Sequence, residues 1–202
     1  MANFTYDDSA LEHLQKRDKK MAALIERYGK LEREVEPDLL HALVGSIIAQ
    51  QISGKAAVTI EKRLREKLPE FTAEALLALT PEAIQSCGMS LKKASYIHAS
   101  AEAAGNGRLD GLERLDNPAI VERLTALPGI GVWTAEMMLI FSLERPDVLS
   151  FGDFGIRKGL MRLYGHRELP RERFERYRKR FSPYGSVAAF YLWELAGEPT
   201  GA

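Results

Sequence analysis

Apolar residues along this chain recur at helical spacing and almost nowhere at strand spacing. Leu11, Leu14, Met21, Leu24 and Ile25 follow the run Asp7-Asp8-Ser9, which predicts a capped helix ending near Gly29. Pro37 and Asp38 open a second, strongly apolar helix through Leu39, Leu40, Leu43, Val44, Ile47 and Ile48, stopping near Gln50-Gln51-Ile52-Ser53-Gly54. From about Lys55 to Leu68, Ala57, Ile60, Leu64 and Leu68 line one side and Lys62, Arg63, Arg65 and Glu66 the other. Shorter helices are expected over Ala73–Leu79, Pro81–Ser86 and Leu91–Ala104, followed by a break at Gly105-Asn106-Gly107. Asn117-Pro118 should cap a helix ending at Leu127, and a turn then launches Trp133–Leu143, closed by Pro146. Three further helices fit Gly155 to Tyr164, Arg171 to Phe181 and Gly185 to Ala196. The nearest strand candidate, Asp147–Phe151, is too short to make a sheet. The pattern predicts an all-α protein of about ten helices joined by short connections.

With 202 residues, 46% of them hydrophobic, the chain can build one large domain or two compact lobes. No apolar run reaches the roughly 18 residues of a membrane span, and the N-terminus shows no secretory signal. The single cysteine, Cys87, excludes an internal disulfide and any four-cysteine cluster, so a reducing, cytoplasmic, bacterial-type setting is expected. His13, His41, His98 and His166 share no spacing suited to a metal, and no cofactor is expected.

Formal net charge is zero, 28 basic against 28 acidic residues, which taken alone argues mildly against nucleic acid. The distribution is less even: from Arg157 to Arg180, ten Lys and Arg stand against three Glu. Such a run is ordinarily a solvated helix face. The other reading is an electrostatic footprint for a polyanion such as nucleic acid.

The turn Leu127-Pro128-Gly129-Ile130-Gly131-Val132 carries the most specific chemistry. Gly129 and Gly131 let the backbone take conformations that a side chain blocks and let another chain approach closely. Backbone N–H groups at the start of the next helix, backed by its dipole, suit a phosphate. A tight helical corner without a ligand is the plainer reading of a bare Gly-x-Gly. Here a helix precedes Pro-Gly-Ile-Gly and Thr134-Ala135 follow inside an apolar helix, which is the helix-hairpin-helix pattern.

Together with Asp153 in Phe151-Gly152-Asp153-Phe154-Gly155-Ile156-Arg157-Lys158, the hairpin resembles the helix-hairpin-helix (HhH-GPD) superfamily of DNA glycosylases, most closely its 3-methyladenine DNA glycosylase II branch. The resemblance runs from roughly Pro37 to Trp193 and also rests on Ile48–Ser53, Pro183–Ser186 and Tyr191–Trp193. It implies two helical lobes with the active-site cleft between them: a central lobe of residues 37–146 including the hairpin 127–133, and a second lobe of residues 1–36 plus 147–202. No room is left for the N-terminal sheet domain of longer bacterial relatives.

The resemblance also implies residue roles. Asp153 would stabilise the cationic sugar that forms as a base departs and position water, although an Asp just before Phe154 could equally be a helix cap. The position after Val132 carries a lysine nucleophile in members that also cut the backbone; Trp133 stands there, so an intact abasic site is the expected product. Trp133 and Trp193, with Tyr191 and Met137, would line the base pocket, where an aromatic face attracts a cationic alkylated ring such as 3-methyladenine or 7-methylguanine; core packing is the alternative for both tryptophans. Gln51 would be the wedge that fills the duplex after base flipping, or simply a polar helix end. Gly129, Gly131, Val132, Thr134, Ser53, Lys55 and Arg157 would contact phosphates. Hairpin carbonyls near Leu127 and Gly129 are a candidate seat for a monovalent cation. Gly185 stands where the family usually has Arg, so that contact is lost or supplied by Arg157 or Lys158. The Leu91–Ile97 block reads as packing with a basic edge. The expected partner is double-stranded DNA with damaged bases, met by a monomer. A glycosylase for uracil, hypoxanthine or mismatched bases and a non-catalytic DNA-binding module are the alternatives.

Overall fold

Side-chain caps, more than glycine or proline, decide where the helices of this protein begin. The computed structural model describes residues 2–199, and among them twelve α-helices carry the fold. The only sheet in the described residues is a pair of two-residue strands, β1 (Ala2–Asn3) and β2 (Glu34–Val35), antiparallel. No strand forms over residues 147–151, where Val148 and Leu149 are buried in irregular chain. The described residues fall into two compact units: those up to Val35 together with those from Leu139 onward, and Glu36–Met138.

The first unit contains α1 (Asp8–Arg17) and α2 (Lys19–Tyr28), and, from the C-terminal part, α10 (Phe154–Tyr164), α11 (Arg171–Phe181) and α12 (Gly185–Gly197). The single helix expected from Asp8 to Gly29 is broken at Asp18, whose φ of −151° is extended. Its Oδ1 accepts the N–H groups of Lys20 and Met21 at 2.9 and 3.0 Å, and Oδ2 accepts from the Arg180 guanidinium at 2.6 Å. A buried carboxylate that collects backbone donors competes with the i−4 carbonyl and starts a new helix.

The core of this unit gathers on α12, where Val187, Ala188, Ala189, Phe190, Tyr191 and Leu192 are all fully buried. Phe174 and Phe181 of α11 join them; burying each such side chain contributes on the order of 1.5–3 kcal/mol. Helices α10 and α12 approach through glycine. A Cβ on Gly159 would stand 2.3 Å from the Leu192 carbonyl oxygen, so backbone meets backbone there.

The second unit runs through α3 (Leu39–Ala49), α4 (Gly54–Arg65), α5 (Ala73–Leu77), α6 (Pro81–Gln85), α7 (Leu91–Gly105) and α8 (Asn117–Thr125), and includes the first part of α9 (Val132–Phe141). Asp38, Ser53, Thr72, Thr80, Ser90 and Asp116 each cap the helix that follows with a side-chain oxygen. The cap of α8 is therefore Asp116; Asn117 and Pro118 occupy its first turn. Helix α7 is the hub, packing on α3, α5 and α6, and the small residues Ala94 and Ala101 are fully buried on it. Leu43, Val44, Ile47, Leu64, Leu76, Ile84 and Ile97 fill the space between.

Candidate active site

Two helix starts and one turn hold the residues of interest. In the second unit, α8 leads through Leu127–Gly131 into α9, and the Ile130 N–H donates to the Leu127 carbonyl at 3.2 Å to close the turn. Gly129 has φ +82°, a region that side chains disfavour. A Cβ there would also fall 2.2 Å from the Tyr96 ring, so glycine is required twice over. Gly131 is different: its φ is not positive, and an added Cβ would meet nothing within 4 Å. The fold does not need glycine at that position. Val132 and Trp133 are 57% and 46% exposed, so Trp133 is not a core residue, whereas the Thr134 and Met137 side chains are buried.

The turn after α3 lies in the same unit. Gln51 is exposed and takes φ +58°, one of two non-glycine residues with positive φ among those described. Its neighbour Gln50 is not an idle polar residue. The Gln50 side-chain amide donates to the Gly129 carbonyl at 2.9 Å, tying this turn to the hairpin. Ser53 caps α4 through the Ala56 N–H at 3.3 Å, and residues 51–55 form a continuous exposed stretch that includes Lys55.

In the first unit, Asp153 is 7% exposed and stands at the start of α10. Its Oδ1 accepts the Ile156 N–H at 2.7 Å and the Trp193 indole N–H at 2.9 Å. The capping role is therefore real. Gly155 makes the second bond possible, because a Cβ there would sit 2.7 Å from Trp193 Cδ1 and 3.2 Å from the carboxylate. Trp193 is partly exposed and stacks on Phe141, ring centroids 5.7 Å apart. Phe154, next to the buried Asp153, is 67% exposed. Arg157, one turn on, and Arg171, at the start of α11, each lay a guanidinium over the Phe151 ring at 5.4 Å.

Tyr191 does not belong with these residues. It is fully buried and its hydroxyl donates to the Gly29 carbonyl at 2.8 Å, so no surface is left for a base; it is a core residue of α12. The place of Gly185 is filled from within. Asp147 accepts the Gly185 N–H at 3.1 Å, and a Cβ there would lie 2.9 Å from that carboxylate, leaving no room for an arginine. The basic run ends in mixed use: Arg178 pairs with Glu175 and Arg180 with Asp18, while Arg173, Arg176 and Arg180 line a cavity of about 290 Å³ with His166 and Tyr177.

Of the two carbonyls considered for a cation, Leu127 accepts the Ile130 N–H and Gly129 accepts the Gln50 amide. Among the described residues no three His, Cys, Asp or Glu side chains gather to hold a metal. His41 instead bonds Glu36 and, at 3.0 Å, Glu61. No helix among them is long and apolar enough to cross a membrane. Gln50, Lys93, Tyr96 and Gly155 support these elements yet carry no signature in sequence, because each acts on a partner distant along the chain or on a ring above it.

Comparison with known proteins places this arrangement. Residues 44–183 match the model of the HhH-GPD superfamily base excision DNA repair proteins. The chain is 30% identical to DNA-3-methyladenine glycosylase 1 of Schizosaccharomyces pombe, over 97% of its own length and 89% of the relative's. Its structure resembles a DNA-3-methyladenine glycosidase of Bacillus halodurans with a TM-score of 0.87 and 37% identity, covering 98% and 93% of the two chains. It also resembles the S. pombe 3-methyladenine DNA glycosylase in complex with abasic DNA, with a TM-score of 0.79 and 31% identity, covering 92% and 95%. The chain belongs to the HhH-GPD superfamily of base excision DNA repair proteins, in its 3-methyladenine DNA glycosylase branch.

Proposed function

We propose that this protein is a DNA glycosylase that hydrolyses the N-glycosidic bond of alkylated bases of the 3-methyladenine and 7-methylguanine class, leaving the backbone uncut. The relatives' names, which specify 3-methyladenine, support a substrate of the alkylated-base class. One observation carries the chemistry: a buried aspartate at a helix start, fixed by the Ile156 N–H and the Trp193 indole. As the glycosidic bond breaks, its electron pair leaves with the base and positive charge develops on the sugar. The Asp153 carboxylate stabilises that charge, water bonds to the anomeric carbon, and its proton passes to Asp153 or to solvent. An alkylated base starts cationic and departs neutral, so modest electrostatic help suffices.

The other residues divide the remaining work. Trp133 offers an exposed indole face to a cationic ring. Because Trp133 stands where a lysine would form a Schiff base, no nucleophilic amine is supplied for strand cleavage. Gln51 fills the space left by the flipped nucleotide. Gly131, whose glycine the fold does not need, lets a DNA phosphate reach the N–H groups of Val132 and Thr134 at the start of α9. Ser53, Lys55 and Arg157 add phosphate contacts, and affinity should fall steeply with salt. The protein acts as a monomer on double-stranded DNA.

The test is base release from duplex DNA carrying 7-methylguanine, with a 3-methyladenine and a uracil duplex in parallel. Wild-type protein should release the alkylated bases, and Asp153→Asn should be slower by about 100-fold or more with DNA affinity within about twofold. Binding without base release by the wild type would overturn the enzymatic reading. An unchanged rate in the variant would remove Asp153 from its role.

A further inference from the structure

Helix α7 has an ammonium group where ordinary packing would not put one. Lys93 Nζ donates to the carbonyls of Ile48 and Gln50, at 2.8 and 2.5 Å, in the last turn of α3 and at its C-cap. These groups carry the negative end of the helix dipole and lack intrahelical donors, so a cation suits them. No carboxylate pairs with Lys93 among the described residues. Desolvation lowers the pKa of its ammonium, as expected of a charge drawn out of water to sit against backbone carbonyls.

The next residue after these carbonyls is Gln51, held at φ +58°. A non-glycine residue persists there only where its surroundings over-determine it. Lys93 fixes the backbone just before it. From the same turn, the Gln50 amide reaches the Gly129 carbonyl at 2.9 Å, and Gly129 in turn lies against the ring of Tyr96. Tyr96 is three residues beyond Lys93 on α7, so both project from one face of that helix. The circuit closes: one helix face supports the turn that bears Gln51 and the hairpin that would hold the phosphate.

We propose that Lys93 is a positioning residue that sets the Gln51 turn in fixed register with the hairpin, and so serves base flipping and not the hydrolytic step. This rests on the glycosylase reading and on Gln51 as the wedge. A slack turn lets the Gln51 side chain drift relative to the phosphate grip, so the cost falls on opening a paired base. A base that is already unpaired needs no opening.

The experiment compares two duplexes under single-turnover conditions, one with 7-methylguanine opposite cytosine and one with it opposite an abasic-site analogue. Lys93→Met is expected to slow release from the paired duplex about 10-fold and to leave release from the unpaired one within about twofold. Lys93→Arg, which can still donate to both carbonyls, should recover most of the loss. Gln50→Leu removes the link to Gly129 alone and should show the same split at about 3-fold, which keeps the test open should Lys93→Met fold poorly. Equal slowing on both duplexes, or none on either, overturns the proposal. Fluorescence of 2-aminopurine placed at the lesion position reads flipping without chemistry: wild type should raise it and Lys93→Met should not. Wild-type protein that raises this signal but releases no base counts against the glycosylase reading and leaves the register role standing. An equal fluorescence rise in the variant sinks the register role.

Discussion

The starts of α9 and α10 are the same local structure, a helix N-terminus, and are finished in opposite ways. Helix α9 is entered from Gly131, which brings no side chain to accept its first N–H groups. Helix α10 is entered from Asp153, whose carboxylate accepts the Ile156 N–H at 2.7 Å. The dipole points the same way in both, yet the first start presents positive partial charge and the second a full negative one. A DNA phosphate is suited to one and a cationic sugar to the other. A single residue, glycine or aspartate, sets the sign.

The sharpest way to break this comparison begins with its glycines. Gly129→Ala forces a positive φ on a side-chain residue and drives a Cβ into the Tyr96 ring, which should cost about 3 kcal/mol. That corresponds to a fall in Tm of roughly 6–12 °C for a chain of this size. A change under about 2 °C would show that the ring yields freely. Next comes Gly131→Asp, which copies the finish of α10 onto α9. Because nothing lies within 4 Å of an added Cβ and Asp is a favoured cap, Tm should hold or rise slightly. DNA affinity should drop about 30-fold in a filter-binding titration. Retained affinity would mean the start of α9 does not hold a phosphate.

The smallest effect concerns Asp18, which also caps a helix from a buried position but pairs with Arg180 at 2.6 Å. Burial alone would raise its carboxyl pKa; the Met21 N–H and the Arg180 guanidinium outweigh that and hold it below the ordinary value of 3.8. A depressed pKa in the folded state contributes stability that is complete above the unfolded value and is lost as pH falls through the folded one. Asp18→Asn keeps the cap without the charge. Its urea midpoint should therefore lie below wild type at pH 6, keep that gap down to about pH 4, and close on wild type only as pH falls below the ordinary value of 3.8. A gap that persists unchanged well below pH 3.8 would remove the ion pair from the account.

Much of this is legible in sequence, for reasons that are local. The Pro-Gly-Ile-Gly turn announces itself because positive φ and close approach select glycine, and Asp153 followed by Phe154 carries a cap signal whatever else it does. Periodicity finds every α-helix of the C-terminal half to within two or three residues, though not the short 3-10 turn Leu112–Arg114. It misses the break at Asp18 because that aspartate sits among Arg17, Lys19 and Lys20 and looks like a solvated residue in a long polar face. Sequence alone misplaces Tyr191, because an aromatic beside Trp193 has the same one-dimensional signal whether it faces a ligand or the core. Lys93 looks like no more than a basic edge of α7. Its partners, the carbonyls of Ile48 and Gln50, are backbone atoms more than 40 positions away in sequence and carry no residue-type signal at all.

The tie between Trp193 and Asp153 has a practical side. The chain has two tryptophans, and they sit in contrasting surroundings. Trp193 is stacked on Phe141 and Phe190 with its N–H bound to a carboxylate, while Trp133 is 46% exposed at the hairpin. Their emission should separate, with Trp133 at longer wavelength and more open to an aqueous quencher such as iodide than the partly exposed Trp193. Asp153→Asn should alter the Trp193 component alone, and DNA should protect Trp133 from the quencher. The protein thus carries two built-in optical reporters, one for each kind of helix start, readable without any label.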